Sequence, residues 1–466
     1  MTAQTFSSLP LKPDLIQVTE ELGYATMTPI QVESLPHLLE GKDLIGQSKT
    51  GSGKTAAFSL PILNKIQVEQ NRYGVLQAMI LCPTRELSAQ VVREIRKLGR
   101  KFEGLQVLPL TGGVPGRDQA FALDRGVHIV VGTPGRILDH IRREQMDLSQ
   151  IQTLVLDEAD KMLEMGFEDE ISAIISELPR DLQTVLFSAT FPEGIELLSQ
   201  RYQKNPVKVK VEDSAETSDL IRQLVYELGT EDKKNILMRV LQQHEADSIL
   251  IFCNTKAAVT NLVELLQDQG VACGGLQGDM DQRQRDLSMA MFRNGSYKIL
   301  VATDVASRGI DIGQLELVIN YDFPLQPEDY IHRIGRTGRA GRSGTAVIFV
   351  GPSEKFKIFE VEKQAKATFE RPNLGFKNQH GLPPGYGQAK MQTLVIVAGR
   401  KDKLRAGDIL GAFTGDGGLQ SSEVGKIEIH DTFTYVAVSS MLSKEQISRL
   451  CEGKIKGKKY QVRALN

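Results

Sequence analysis

Short apolar runs alternate along this chain with longer stretches in which apolar residues return every three or four positions. Asp43-Leu44-Ile45, Ala78-Met79-Ile80-Leu81, His128-Ile129-Val130-Val131, Leu154-Val155-Leu156 and Thr184-Val185-Leu186-Phe187 each have the length of a strand buried on both faces. Between them, patterns such as Glu86 to Lys97 and Glu168 to Leu178 predict amphipathic helices. Strand-helix units in series point to an α/β domain around a parallel sheet, over residues 1–211. A second series, 212–367, opens with the charged, apolar-poor stretch Glu212 to Asp219. It continues through Ser248-Ile249-Leu250-Ile251-Phe252, Lys298-Ile299-Leu300-Val301, Leu317-Val318-Ile319 and Ala346-Val347-Ile348-Phe349. Residues 368–389, where Pro and Gly break every period, predict a linker. The remainder, 390–466, alternates strand-like runs (Gln392 to Ala398, Gly425 to Ile429, Phe433 to Val438, Tyr460 to Leu465) with helical patterns near Gly407 and Lys444. That order is βαββαβ, a small α+β domain.

The length of 466 residues agrees with several domains. Apolar residues at 41% and charged residues at 24% place the chain among folded proteins rather than disordered ones. The N-terminal residues lack the basic patch and apolar run of a secretory signal, and no stretch approaches a bilayer span, so a soluble, cytoplasmic protein is expected. Cys82, Cys253, Cys273 and Cys451 are scattered without a CxxC pair and predict reduced core residues. The net charge of -2 hides an asymmetry: residues 390–466 carry 13 Lys and Arg against 8 Asp and Glu, so the basic excess sits in the last domain.

Candidate chemistry begins at Ser48-Lys49-Thr50-Gly51-Ser52-Gly53-Lys54-Thr55, after a predicted strand and before a predicted helix. The amides of Gly51, Ser52 and Gly53 can converge on phosphate oxygens at a helix N-terminus, Lys54 adds a point charge, and Thr55 offers a hydroxyl for Mg²⁺. The strict GxxxxGK[ST] pattern wants glycine where Ser48 stands, and alone the run also reads as a glycine-rich turn. A second element narrows the choice. An apolar strand ends in Asp157-Glu158, where such sheets bind ligands: Asp157 can hold Mg²⁺ and Glu158 can orient or deprotonate water.

Asp157-Glu158-Ala159-Asp160 spells the signature of the DEAD-box RNA helicases, and over residues 1 to about 368 the chain resembles that family motif by motif. The resemblance implies two RecA-like parallel-sheet domains, ATP and Mg²⁺ as cofactors, and RNA as partner. Gly23 to Gln31, with Phe6 seventeen residues upstream of Gly23, resembles the motif that holds adenine, assigning Phe6, Tyr24 and Gln31 to the base. Phe6 can stack on the base and the Gln31 amide can both donate and accept. Pro83-Thr84-Arg85-Glu86-Leu87, Gly112-Gly113 and Thr133-Pro134-Gly135-Arg136 resemble segments along the RNA backbone, so Thr84, Arg85, Gly113, Thr133, Gly135 and Arg136 are assigned to RNA. Ser188-Ala189-Thr190 resembles the motif linking nucleotide state to RNA affinity, and Ser188, Thr190 and His332 are assigned to coupling. In the second domain Thr255, Gln282, Arg285, Thr303 and Arg308 are assigned to RNA, and Gly309 and Asp311 to nucleotide. In His332-Arg333-Ile334-Gly335-Arg336-Thr337-Gly338-Arg339, the family implies Arg336 and Arg339 as arginine fingers. Lys54, Asp157 and Glu158 complete the catalytic set. Departures are minor: Ser48 and Ser88 stand where the family usually has alanine.

The last domain resembles an RNA-recognition fold. Phe433 and Tyr435 alternate with Val436 and Val438, so a strand would show aromatics on one face and valines on the other. Asp431 stands where a basic residue is usual, and Leu394-Val395-Ile396-Val397 lacks the companion aromatic. Stacking on RNA and internal packing both stay open for the two rings. Arg400, Lys401, Lys454, Lys456 and Lys458 offer another RNA surface. Gly453 to Lys458, with Gly407 to Ala412, resembles the tail of the bacterial DbpA/YxiN group, implying 23S ribosomal RNA and large-subunit assembly intermediates as partners of a monomer. An ATP-driven helicase and an ATP-gated RNA clamp fit the motifs equally. DNA translocation fits less well, given Phe6, Gln31 and the DEAD form of the acidic strand.

Overall fold

The computed structural model describes residues 4–48, 51–68, 74–191, 193–211, 220–229, 231–307, 315–338, 343–365, 367–373, 382–383 and 385–465. These fall into two compact units, the first running to Val211 and the second from Leu220 onward. Lys49, Thr50, Arg308, Gly309, Asp311 and Arg339 lie outside the described residues.

The first unit is built on seven parallel strands: β1 (Leu44–Gln47), β2 (Ala78–Leu81), β3 (Val107–Leu110), β4 (Ile129–Gly132), β5 (Thr153–Leu156), β6 (Gln183–Ser188) and β7 (Val207–Lys210). Their order is β3-β4-β2-β5-β6-β1-β7. Every residue of β2, β4, β5 and β6 is buried. Alternate side chains feed two apolar layers, so Ile80 and Val155 pack on one face while Met79 and Leu154 pack on the other. The doubly wound order leaves the carboxyl ends of β1, β2, β5 and β6 side by side.

The second unit begins with six more parallel strands: β8 (Ile221–Glu227), β9 (Ile249–Cys253), β10 (Cys273–Leu276), β11 (Ile299–Thr303), β12 (Leu317–Asn320) and β13 (Gly344–Val350), in the order β10-β11-β9-β12-β13-β8. The tail follows with β14 (Met391–Ile396), β15 (Val424–Ile429), β16 (Thr434–Ser439), β17 (Lys454–Ile455), β18 (Lys458–Lys459) and β19 (Val462–Leu465). Four of these form an antiparallel sheet, β15-β16-β14-β19, backed by helices Ala406–Thr414 and Lys444–Glu452. Two RecA-like sheets and a small α+β sheet are thus the fold. The β17–β18 hairpin is an addition to the predicted order. Lys456 (φ 55°) and Gly457 (φ 74°) make its two-residue turn.

Part of the predicted linker is not loose. Phe369 packs in the second unit's core and Glu370 makes a bidentate pair with Arg222. Further on, Tyr386 packs against the core beneath the Lys298 ammonium, which lies 4.0 Å from its ring centroid. Cys82, Cys253 and Cys273 are buried, whereas Cys451 is half-buried. Among the described residues no helix is long and apolar enough to cross a membrane.

Candidate functional site

β1 delivers the chain into the phosphate-binding loop. Ser48 is buried, donates its backbone N–H to the Ser188 carbonyl (3.0 Å) and shares a hydroxyl hydrogen bond with Ser52 (2.8 Å). The serine in a glycine position therefore braces the loop. Gly53 (φ 96°, ψ 14°) sits in the left-handed region and caps helix Lys54–Lys65, a conformation that favours glycine. A Cβ there would also lie 2.6 Å from the Gln31 amide nitrogen. Lys54 is 6% exposed, and its Nζ donates to the Ser48 carbonyl at 2.8 Å.

β5, separated from β1 by β6, ends in the acidic pair. Asp157 is 3% exposed; its N–H donates to the Leu81 carbonyl (3.0 Å) and its Oδ1 accepts the Glu158 N–H (3.0 Å). Burial drives its carboxyl up to about 7, the Lys54 charge pulling it down and the Glu158 carboxylate pushing it up. A buried carboxylate whose charge Lys54 offsets only in part suits a divalent cation, and the hydroxyl of Thr55, next to Lys54 in helix Lys54–Lys65, suits the same ion. Asp157 and Thr55 thus fit Mg²⁺. Glu158 has φ 52° and ψ 51°, a left-handed backbone uncommon for any residue with a Cβ. That conformation turns the chain at the strand end into helix Ala159–Glu164.

The Gln31 amide already makes one bond through each half, which leaves a lone pair and an N–H for the base edge assigned to it. Its Oε1 accepts the Thr28 N–H (2.9 Å), and its Nε2 donates to the Gly53 carbonyl (3.1 Å). The second bond ties helix Pro29–Leu39 to the phosphate loop. Phe6 is 3% exposed, packed in the first unit's core with its ring centroid 6.4 Å from that of Tyr24. Tyr24 is half-buried and donates its hydroxyl hydrogen to Glu94 (2.5 Å).

Ser188 and Thr190 lie beside this site at the end of β6. The Ser188 hydroxyl donates to the Thr190 carbonyl (2.6 Å), while the Thr190 N–H and hydroxyl both donate to Asp160 Oδ2 (2.9 and 2.8 Å). Asp160, quoted in the sequence only as the last letter of a signature, is therefore the residue that joins the acidic strand to Ser188-Ala189-Thr190. Its near-complete burial (2%) could not be read from the sequence.

The RNA-assigned residues of the first unit gather around one turn. The Arg85 guanidinium lies over Gly112, where a Cβ would come within 2.5 Å of it, and an Arg136 guanidinium nitrogen would be 2.9 Å from a Cβ at Gly116. Gly113 (φ 81°) turns the chain between them. Thr84 and Thr133 are the N-caps of helices Arg85–Leu98 and Pro134–Arg142, and Gly135 is exposed in the first turn of the second. Helix N-termini, left-handed glycine and two guanidinium groups make a surface suited to a phosphate backbone. Ser88 back-bonds to the Thr84 carbonyl (2.9 Å), which accounts for that departure from alanine.

The second unit repeats the device. Thr255, exposed, caps helix Lys256–Asp268 by accepting the Ala258 N–H (3.1 Å). Gln282 opens helix Gln282–Arg293, and Arg285 on the next turn donates to the Ala306 carbonyl (3.1 Å). Thr303 ends β11 and accepts the Ala306 N–H (3.4 Å). His332 and Arg336 flank a residue to which no role was assigned. Arg333, its side chain 1% exposed, grips Asp304 with two bonds (2.7 and 2.6 Å), and bonds Asn254 Oδ1 (2.8 Å), the Asp322 carbonyl (2.8 Å) and Asn320 Oδ1 (3.3 Å). Arg336 is 7% exposed.

In the tail, Arg400, Lys401, Lys454, Lys456 and Lys458 are all exposed, Lys456 within 3.4 Å of Asp408. The aromatic strand resolves the alternative left open above: Tyr435 is 3% exposed and packs, with Phe433, against Val395 and Ala290. Tyr435 packs internally.

Comparison with known proteins agrees with this arrangement. Residues 28–198 match the DEAD/DEAH box helicase family, 232–341 the helicase conserved C-terminal domain, and 393–464 the DbpA RNA binding domain. The chain is 44% identical over 471 residues to the ATP-dependent RNA helicase DbpA of Escherichia coli (strain K12), covering 100% of both. It is 38% identical over 479 residues to the DbpA of Bacillus subtilis (strain 168), covering 99% of both. Among solved structures it is similar to Saccharomyces cerevisiae Dbp5 bound to RNA and ADP BeF3, with a TM-score of 0.72 and 33% identity over 80% of this chain and 96% of that one.

Proposed function

Because the chain belongs to the DEAD-box ATP-dependent RNA helicases of the DbpA type, we propose that it acts locally on structured 23S ribosomal RNA during large-subunit assembly, with its tail selecting the site. The observation that carries the chemical part is the run of hydrogen bonds from Ser48 to Ser188, from Ser188 to Thr190 and from Thr190 to Asp160, which follows Asp157 and Glu158 in the same acidic signature. Phosphate loop, acidic strand and coupling motif are thereby one connected unit.

In this reading the loop amides and Lys54 bind the β- and γ-phosphates, and Glu158 holds the attacking water and takes its proton. Asp157 and Thr55 hold Mg²⁺, which neutralises charge on the phosphate oxygens when bound. Arg336 and Arg339 supply positive charge to the transferring phosphoryl group. Thr84, Arg85, Gly113, Thr133, Gly135 and Arg136, with Thr255, Gln282, Arg285, Thr303 and Arg308, hold the RNA backbone. The protein works as a cytoplasmic monomer. The basic hairpin and the Arg400-Lys401 turn, exposed on the tail, support the choice of RNA as the tail's ligand.

Glu158→Gln tests the catalytic assignment: ATP binding should persist while RNA-stimulated turnover falls by roughly 10²- to 10⁴-fold. Normal turnover in that variant would sink it. The target assignment is tested by ATPase stimulation with large-subunit rRNA fragments, with and without residues 390–466. Unchanged selectivity after truncation refutes the role given to the tail.

A further inference from the structure

Behind the turn Thr111-Gly112-Gly113 of the first unit, three polar side chains form a row to which neither the nucleotide site nor the RNA surface lays claim. Gln119, 3% exposed on helix Gly116–Asp124, donates from Nε2 to the Thr111 carbonyl (2.9 Å). Its Oε1 meets His140 Nε2 at 3.0 Å. His140 is 1% exposed on helix Pro134–Arg142, and its Nδ1 lies 2.6 Å from the side-chain amide of half-buried Gln145. The Gln145 N–H also donates to the His140 carbonyl (3.1 Å), closing the outer end of the row. A buried polar atom that loses its partner keeps its full desolvation penalty, so a break at one member is felt by the next.

The row has a fixed sense. Gln119 cannot turn its amide over, because Oε1 would then oppose the Thr111 carbonyl oxygen, so Oε1 needs a donor and His140 carries a proton on Nε2. In the neutral ring Nδ1 accepts, from the NH2 of Gln145 once that half-buried amide turns over. At the other end the consequence is a direction. A trans peptide points its C=O and N–H to opposite sides, so holding the Thr111 carbonyl toward Gln119 turns the Gly112 N–H away from the buried row. The helix that carries His140 is also tied to this stretch at its start, where the Thr133 N–H donates to the Leu110 carbonyl (3.1 Å). We propose that Gln119 and His140 are positioning residues for RNA, aiming the Gly112 N–H and setting the Gly112-Gly113 turn at a fixed distance from the N-terminus of helix Pro134–Arg142, so that both groups of donors meet one phosphate backbone. Neither side chain touches RNA or nucleotide. The inference rests on the reading of Gly113, Thr133, Gly135 and Arg136 as RNA residues for its binding readout, but not for its structural one.

The test uses the full chain in ATPase assays stimulated by poly(A). His140→Leu fills the space without a donor, Gln119→Leu removes the centre of the row, and His140→Gln puts an amide nitrogen near where Nε2 stood. Each leucine variant should raise KM for RNA about fivefold to tenfold, the effect of one or two lost hydrogen bonds, and leave KM for ATP within about twofold. His140→Gln should stay within about twofold of the unaltered protein, and the double leucine variant should be no worse than the poorer single, because both break one route. Hydrogen exchange measured without RNA should quicken at residues 110–116 of His140→Leu and stay unchanged in β5. Unchanged KM for RNA in both leucine variants overturns the proposal, as does a His140→Gln as impaired as His140→Leu. So does a KM for ATP that rises in step with that for RNA, since the row would then support the whole unit rather than one surface. Arg136→Ala separates the two readings: if it leaves KM for RNA unchanged, the RNA surface is wrongly assigned, while exchange at residues 110–116 of His140→Leu still upholds the row when faster and overturns it when unaltered.

Discussion

Arg333→Met removes a guanidinium that makes five hydrogen bonds in the second unit's interior and lies 5.2 Å from the Phe252 ring centroid. Methionine fills much of the space but leaves the Asp304 carboxylate, 20% exposed, without its two short bonds. The Asp322 carbonyl and the amide oxygens of Asn254 and Asn320 lose a donor too. Breaking a buried pair on one side costs about 3–5 kcal/mol, mostly because the surviving charge stays desolvated. The local unfolding constant should therefore rise by roughly two to four powers of ten. If the penalty is the stranded charge, Arg333→Met with Asp304→Asn should cost less than the two losses added, by about 1–3 kcal/mol. The chain has no Trp, so hydrogen exchange of β12 and helix Pro327–Ile334 in rising urea is the suitable assay, and it reads the second unit alone. A loss below about 1 kcal/mol, or additive losses in the cycle, would refute this account of Arg333.

Three further outcomes are expected. Gly112→Ala places a Cβ 2.5 Å from the mobile end of Arg85; stability should change by less than about 0.5 kcal/mol while RNA affinity falls severalfold, and equal RNA affinity in a filter-binding titration would show that Arg85 is not held there for RNA. Thr190→Val deletes one of two bonds to Asp160, worth about 1 kcal/mol; RNA-stimulated kcat should drop roughly fivefold with ATP affinity intact, and a parallel loss of ATP affinity would contradict a coupling role. Without metal or nucleotide, the Asp157 carboxyl titrates near 7 in the fold against an ordinary 3.8, so the folded first unit keeps a proton that the unfolded chain has lost. Its stability should fall as pH rises through that window. Asp157→Asn should flatten the slope by up to about 1.4 kcal/mol per pH unit, and identical slopes in urea titrations between pH 4 and 8 would be decisive against it.

Legibility in the sequence followed burial. The nine sheet strands visible as apolar runs in the two RecA-like sheets are the interior ones, covered on both faces. The four that no run announced, β3, β7, β8 and β10, are the sheet edges. Pro109 sits in β3, which an edge tolerates because one side of the ladder is unpaired. In β10, Gly274 stands against Tyr297, whose ring leaves no room for a Cβ, so the strand shows no apolar side chain at that position. The phosphate loop and acidic pair were readable because their chemistry demands fixed residues at fixed spacing. Asp160 and Arg333 were not, since nothing local distinguishes a buried charged residue from a solvated one. The same holds for the Gln31 amide, whose partners lie on Thr28 and on Gly53, 22 positions away. The alternation of Phe433 and Tyr435 with Val436 and Val438 gave the two faces of β16 correctly, but which of them would meet another domain is a tertiary fact.

The left-handed backbone at Glu158 sets folding and selection against each other. Side chains bearing a Cβ pay a conformational penalty there, Asn and Asp less than the rest, and glycine escapes it. A population of variants screened for heat resistance alone should drift toward glycine at 158 and grow hardier as it loses turnover. Glutamate retained only when turnover is selected as well would be the mark of catalysis on a strained backbone, whereas glutamate retained under heat alone would refute the penalty.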